Sequence, residues 1–238
     1  MRSSGGRTKR VLDLFAGSIA FAVSIPIIVA ATLATRLSGD SGPVFYRAVR
    51  VGEGGATFAM MKLRTMVSAP GGPGVTRAQD PRVTSMGRIL RRLKIDELPQ
   101  LWNVVRGQMS LVGPRPEDER YIDWDDPLHR KVFTAKPGIT GLSQLTFPFE
   151  ERLLAGPDPE RTYREDILPS KLMIDSYYLD HRSLALDLRI LVWTVRSIFG
   201  PGGSPEDLSQ GVRSMASVTE RGRSVAGRRA ARTGYLDD

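Results

Sequence analysis

Between Leu14 and Thr35 the chain carries no charged residue: LFAGSIAFAVSIPIIVAATLAT. A run of that length can form one bilayer-crossing helix. Pro26 lies near its middle, two residues after Ser24, and proline inside a helix removes one hydrogen bond and predicts a kink or break. Each half then measures roughly 18 Å, against a hydrocarbon core of roughly 30 Å. Past this run the pattern changes period. Val44–Val51 and Thr57–Leu63 read as strands around Gly52-Glu53-Gly54-Gly55, hence a hairpin. Thr84 or Ser85 can cap a helix through Leu93. Leu98, Leu101, Trp102 and Val105 recur at spacings of three and four, a helical pattern. Short helices are expected over Leu128–Ala135, stopped by Pro137-Gly138, and over Lys171–Leu179.

A longer helix, Ser183–Phe199, has Leu184, Leu188, Leu191, Val195 and Ile198 as its apolar face, with Arg182, Arg189 and Arg196 every seventh residue. Such a helix suits a membrane interface or a core position with a solvated side. Ala69–Gln79 is rich in proline and glycine and reads as a mobile loop. The expected fold class is α+β and helix-dominated: one compact domain with a small hairpin, an N-terminal re-entrant membrane helix and interfacial amphipathic helices. The expected division is a basic segment over 1–10, disordered at first, a membrane helix over 11–36, a compact main unit over 37–200 and a flexible, arginine-containing tail over 201–238.

Charge refines the membrane reading. Of 238 residues, 34 are Lys or Arg and 26 Asp or Glu, a net charge of +8. Such a chain suits anionic lipid, phosphorylated substrates or nucleic acid. The last is the weakest, because the basic run lacks interleaved aromatics and no nucleic-acid-binding signature appears. Arg7, Lys9 and Arg10 flank one end of the apolar run; Arg36, Arg47 and Arg50 flank the other. Under the positive-inside rule both flanks prefer the cytoplasm. A helix that enters and leaves the same leaflet satisfies both; a straight span satisfies one. A cleavable signal peptide fits poorly, because the run is too long. The absence of cysteine excludes disulfides, zinc–thiolate sites and thiol catalysis. His129 and His181 stand alone, which argues against histidine-based metal binding.

The chemistry concentrates between Arg88 and Pro116. Arg88, Arg91, Arg92 and Lys94 lead into adjacent carboxylates, Asp96 and Glu97. Asp96 can serve as a helix N-cap, with Pro99 in the first turn and Gly107 at the far end. Both a helix N-terminus and a cationic run attract anions. A divalent metal shared by carboxylate and phosphate reconciles the acids with the anion site. A capping aspartate, a first-turn glutamate and a solvated basic face explain the same residues without chemistry. Lys62 and Arg64 end the second strand on one face, and Gly113-Pro114-Arg115-Pro116 forms a stiff turn.

The run DELPQLWNVVRGQMSLVGPRP strongly resembles the small monotopic polyprenyl-phosphate phosphoglycosyl transferases, a family of bacterial sugar transferases. So do Met61–Met66, Asp80–Thr84, Lys136–Gln144 and Ser183–Leu191, in order, within about Lys9 to Gly200. The resemblance implies transfer of a phospho-sugar from a UDP-sugar to polyprenyl (undecaprenyl) phosphate, giving polyprenyl-diphosphate-sugar and UMP. The expected place is the cytoplasmic face of the bacterial inner membrane. The resemblance also implies Mg²⁺, Asp96 as nucleophile, and Glu97 in metal binding or proton handling. It gives Lys62, Arg64 and Arg91 as phosphate-binding groups, with Gly113, Pro114, Arg115 and Pro116 as the nucleotide wall, and Ser24 and Pro26 as the membrane break.

Two departures stand out. Ile25 separates Ser24 from Pro26, where the family has an adjacent Ser-Pro. Thr146-Phe147-Pro148-Phe149 replaces an Asn-Gly-Arg-like stretch whose arginine reaches phosphate, with Arg152 as a possible substitute. Two other classes stay in view. A non-catalytic scaffold that binds anionic lipid would find Asp96 and Glu97 dispensable. An anchored nucleic-acid-binding protein would show steep salt dependence.

Overall fold

The computed structural model describes residues 4–38, 42–67, 75–77, 79–147, 150–154 and 156–199, together with the backbone but not the side chain of a few of these, Arg152 among them. Helix α1 runs over Ser4–Leu37 with Pro26 inside it. The helix therefore begins within the segment expected to be disordered, and it continues through the proline where two half-helices were expected. Ser24 and Pro26 do not interrupt it. A stripe of buried or half-buried positions explains this continuity: Asp13, Gly17, Phe21, Ser24, Ile28, Ala31 and Thr35 fall at helical spacing on both sides of Pro26. Docking holds both halves in line, and the Ser24 hydroxyl donates to the Phe21 carbonyl, 2.8 Å away. The stripe is roughly 33 Å long. The opposite face exposes Val11, Phe15, Ile19, Val23, Ile27, Val29 and Leu33.

Polar bonds fasten the first turns of α1. Asp13 accepts from the Ser110 hydroxyl (2.7 Å) and the Leu111 N–H (3.1 Å). Lys9 donates to Asp187 (2.7 Å), whose other oxygen accepts from the Tyr178 hydroxyl (2.6 Å). Arg10 donates to the Val104 and Val105 carbonyls at 2.8 and 3.1 Å, placing a cation at the negative end of the helix that contains them.

The hairpin forms as expected. Strands β1 (Phe45–Val51) and β2 (Thr57–Leu63) pair antiparallel, with Tyr46 opposite Lys62 and Ala48 opposite Met60. Ala48, Phe58 and Met60 pack with Val104 and Met109. Helix α2 (Ser85–Arg92) is capped by Thr84, whose hydroxyl accepts from the Gly87 N–H. Ile28 and Ala31 of α1 pack with Val44, Leu63 and Leu90, with Ile95 and Leu98 alongside. The residues preceding and following the two candidate carboxylates thus rest against the apolar helix.

Helix α3 covers Gln100–Val105, and Gly107 follows with φ +80°. Short strands β3 (Ser110–Val112) and β4 (Gly138–Thr140) pair parallel. Between them lies α4 (Pro127–Val132), and after β4 come α5 (Leu142–Thr146), α6 (Glu150–Leu153) and α7 (Pro159–Thr162). A π-helical turn, Tyr163–Ile167, leads into α8 (Leu168–His181), longer than the helix expected there, and α9 (Leu184–Phe199) follows. The core of this half joins Val112, Leu142, Leu145, Ile174, Tyr178, Leu186 and Ile190. The face of α9 that packs inward is Leu186, Asp187 and Ile190, whereas Leu184, Leu188 and Val195 of the expected apolar stripe are exposed. That outward apolar face, beside exposed Arg182, Arg189 and Arg196, suits the interface reading of this helix. The tail over 201–238 lies outside the described residues. The two histidines have structural roles: His129 accepts from the Asp123 N–H and His181 stacks on Tyr177.

Candidate active site

Helix α2 ends at Leu93, and Lys94 turns the chain with φ +56°. A left-handed lysine costs roughly 1 kcal/mol and such outliers gather at functional positions. Ile95–Glu97 then form one 3₁₀ turn, followed by Pro99 and α3. Asp96 therefore does not cap α3. It sits inside the preceding turn, and its side chain caps nothing. The residue is 7% exposed, and its buried Oδ1 has no hydrogen-bond partner among the described residues. An unpaired buried polar atom costs about 1–3 kcal/mol, which makes this oxygen a natural place for an incoming ligand.

Glu97 lies differently. Its Oε1 accepts from Lys62 Nζ at 3.1 Å. Burial pushes its carboxyl up, but Lys62, Lys94 and Arg115 outweigh burial and hold it below the ordinary glutamate range. Asp96 moves the other way. Burial and the neighbouring Glu97 charge raise it, against the pull of Lys62, Lys94 and Arg91. The two carboxyls thus divide: the surrounding cations favour the ionised form of Glu97, while burial and the Glu97 charge shift Asp96 toward its protonated form.

Several of the cations expected to bind phosphate lie near this pair. Arg91 is steered by Thr65 Oγ1 (2.9 Å) and by Glu151 (3.2 Å). Arg115 projects from the Gly113–Pro116 turn, which is locked from below. The Gly113 N–H donates to the Thr140 carbonyl (3.0 Å), and Pro114 accepts from the Gly138 N–H (2.8 Å). A Cβ on Gly113 would come within 2.5 Å of the Lys136 carbonyl, so only glycine fits. Pro116 is buried beneath the turn. The Arg115 N–H donates to Asp175 Oδ2 at 3.2 Å. Burial opposes the Arg115 charge, but Glu150, Glu117, Tyr163 and Glu97 together raise its pKa. Arg64 is buried with its guanidinium against Gly42, and it is not among the cations that act most strongly on the two carboxyls.

Behind Arg115 lies a network that sequence reasoning missed. Tyr163 donates to Glu117 (2.7 Å), and Lys171 pairs with Glu150. Burial pushes the Asp175 carboxyl up to about 7, against hydrogen bonds from Ser143 and the Arg115 N–H. Apart from Glu117, which directly follows the turn, these partners lie tens of residues from it, and no local spacing signals them. Lys94 carried a signal as the last member of the cationic run. The side chain of Arg152 is outside the described residues, as are Pro148 and Phe149; the nearby side chains that reach the site are the acids Glu150 and Glu151.

The donor set fits a divalent cation. Mg²⁺ uses one or two carboxylates together with substrate phosphates, and here one carboxylate is ionised and the other has an unpartnered oxygen. Among the described residues no cluster of three or more acids or histidines that could hold a metal ion is present.

Known proteins resemble this chain over most of its length. A UDP-glucose:undecaprenyl-phosphate glucose-1-phosphate transferase of Caulobacter vibrioides is 42% identical over 195 residues, covering 80% of this chain and 69% of that protein. A UDP-N-acetylgalactosamine-undecaprenyl-phosphate N-acetylgalactosaminephosphotransferase of Aeromonas hydrophila is 36% identical over 195 residues, 80% of this chain but only 43% of that protein. The exopolysaccharide production protein ExoY of Rhizobium meliloti is 32% identical over 222 residues, 86% of this chain and 91% of that protein. Residues 5–201 match the bacterial sugar transferase family as a whole. On the match over most of its length and the relatives that share it, the chain belongs to the bacterial sugar transferases.

Proposed function

We propose that this protein transfers a sugar 1-phosphate from a UDP-sugar to polyprenyl phosphate, as the names of its relatives state for them. The observation that carries the reading is the buried, unpartnered Asp96 oxygen among Lys62, Lys94 and Arg91, beside ionised Glu97. Phosphoryl transfer needs charge neutralisation and positioning more than covalent help from many groups. Arg91, Lys62 and Arg115 supply the charge, and the rigid Gly113–Pro116 turn supplies the wall.

The chemistry proceeds in two displacements. An Asp96 oxygen attacks the sugar-linked phosphorus; the bond from that phosphorus to the bridging oxygen breaks, and UMP leaves with the electron pair. A lipid phosphate oxygen then attacks the same phosphorus, the bond to Asp96 breaks, and polyprenyl-diphosphate-sugar forms. Binding of the donor phosphates excludes water from Asp96, and Lys62, Lys94 and Arg91 favour its ionised form. Mg²⁺, held by Asp96 and Glu97, supplies charge neutralisation on the phosphate oxygens when bound. Two steps let a water-borne donor and a membrane-borne acceptor use one site in turn.

The placement we propose is the cytoplasmic face of the inner membrane, with 11–36 as a membrane-attached helix lying along the catalytic unit, 37–200. Support comes from the docking of α1. Lys9, Arg10 and Asp13 bond to the domain at one end, and Ile28 and Ala31 pack on it near the other. A helix bound along roughly 33 Å of one domain does not stand perpendicular to the bilayer with that domain outside.

The test is UMP release with a panel of UDP-sugars, a prenyl phosphate and Mg²⁺. Asp96→Asn keeps size and loses the anionic nucleophile, so turnover falls by several orders of magnitude with the fold intact. Near-full turnover in that variant, or in excess chelator, overturns the assignment of Asp96 or of the metal respectively. With radiolabelled sugar and no acceptor, acid-stable label on the Asp96 peptide marks the covalent route.

A further inference from the structure

The cations that act most strongly on the two carboxyls are already engaged, with one exception among the described residues. Lys62 donates to Glu97, Arg91 donates to Thr65 and Glu151, and Arg115 Nε lies 3.9 Å from Glu117. Lys94 acts on both carboxyls as well. Its side chain, however, is exposed and makes no hydrogen bond or ion pair with another described residue. Only Ile95 separates Lys94 from Asp96, so their Cα atoms are at most roughly 7 Å apart. The Lys94 carbonyl also accepts from the Glu97 N–H at 3.3 Å. An anion that touches Asp96 is therefore within reach of this ammonium. An apolar surface leads up to it. Ile89 and Leu93, four residues apart at the end of α2, share a face, and both are exposed. Their neighbours Met86 and Leu90 pack with Ile28 and Ala31, which sets α2 against the apolar helix α1.

From this geometry we infer that Lys94 and the Ile89–Leu93 face seat the acceptor: Lys94 Nζ holds the phosphate of a prenyl phosphate, and the first isoprene units lie along Leu93 and Ile89. The inference rests on the function proposed above and adds where the acceptor enters. Charge complementarity selects the occupant. A lipid monophosphate carries roughly 1.5–2 negative charges near neutral pH, and in the second displacement it must approach a pair of carboxyls. It needs a cation that no carboxylate has already neutralised, and Lys94 supplies one. A nucleotide-sugar has no apolar chain for Ile89 and Leu93, and its phosphates meet Arg91 and Arg115. In that second displacement a lipid phosphate oxygen bonds to the phosphorus, the bond to Asp96 breaks, and its electron pair returns to the carboxylate. Lys94 touches the attacking phosphate and orients it.

The experiment compares the full chain and its variants in phosphatidylcholine vesicles containing a prenyl phosphate, with UMP release as the readout. In Lys94→Gln the KM for prenyl phosphate rises roughly tenfold, the scale of one lost charge-assisted phosphate contact. The KM for the UDP-sugar rises no more than about threefold, the scale of an exposed charge acting without contact. Lys94→Arg recovers most of the loss. Lys94→Gly suits the left-handed backbone at this position, so it keeps the fold, and it shows the same rise in acceptor KM. Ile89→Ser combined with Leu93→Ser raises the acceptor KM and leaves the donor KM unchanged. Equal rises in the two KM values of Lys94→Gln overturn the inference, because Lys94 then only sets the charge of the site. An unchanged acceptor KM overturns it too. So does a rise matched by an equal loss of binding to phosphatidylglycerol vesicles, which makes Lys94 a contact for bulk lipid. If wild type turns over but Lys94→Gln behaves like it, only the acceptor seat falls; if wild type releases no UMP, the proposed function falls and the seat with it.

Discussion

Lys62 Nζ lies 3.1 Å from Glu97 Oε1, and the same ammonium also lowers the pKa of Asp96. One cation thus serves both carboxyls. Lys62→Gln removes it, and both carboxyls then titrate at higher pH. The acidic limb of kcat/KM moves upward in pH, and the donor KM rises. A pH–rate profile of the two proteins checks this; coincident acidic limbs count against the role given to Lys62.

Asp175 gives a second pH effect, this one on stability. Its carboxyl titrates near 4 in an unfolded chain and is pushed up to about 7 by burial in the fold. Between those values the native state keeps a proton that the unfolded chain has lost. Its contribution is complete below the unfolded pKa and disappears as pH rises through the folded one. Stability in wild type therefore declines from about pH 4 to about pH 7 at this site. Asp175→Asn still accepts from the Arg115 N–H and no longer titrates, so its melting temperature changes less across the same range. Equal slopes in the two proteins reject this account.

Gly113 tests the wall behind the nucleotide. Gly113→Ala drives a methyl group to within 2.5 Å of the Lys136 carbonyl, and both partners are backbone in a locked turn. We expect a loss of about 1–3 kcal/mol and a higher KM for the UDP-sugar. Denaturant melts and donor titrations measure the two effects separately.

Asn103 ties α3 to the hairpin. It is buried, accepts from the Met61 N–H (3.0 Å), and donates to the Ala59 carbonyl (2.8 Å) and Gln108 (2.9 Å). Asn103→Leu is similar in volume and strands those partners, at a cost of about 2–4 kcal/mol. Because α3 follows directly on the Asp96–Glu97 turn, activity falls as well. A variant as stable as wild type in urea contradicts this reading.

Local patterns carried the hairpin, the capping by Thr84, the left-handed Gly107 and the existence of α9, because each depends on residues close in sequence. The role of Asp96 as a cap did not survive, although the local reading was sound chemistry. The left-handed Lys94 inserts a 3₁₀ turn that moves the carboxylate off the helix end. The break at Pro26 was also a local inference, and docking of Phe21, Ser24 and Ile28 on distant segments overrode it. Of the candidate site, Asp96, Glu97, Lys62 and the Gly113–Pro116 turn were legible through family-like motifs, and Arg91 through the cationic run before the carboxylates. Asp175 and Lys171 were not, since only folding brings α8 beneath a turn some sixty residues earlier. Asp13 directly precedes the uncharged run, and its bonds to Ser110 and Leu111 come from far along the chain.

The bonds of Asp13, Lys9 and Arg10, and the fit of Gly17 against Val104, change what the hydrophobic segment is. It is a wall of the enzyme as much as an attachment to lipid. A protein cut to begin after Leu37 would leave Leu63, Leu90 and Val104 facing water and the Ser110 hydroxyl without its carboxylate partner. Such a truncation yields an aggregating chain, not a soluble catalyst. Inheritance follows the same logic: a substitution on the inner stripe of α1 is read by the active site before it is read by the membrane.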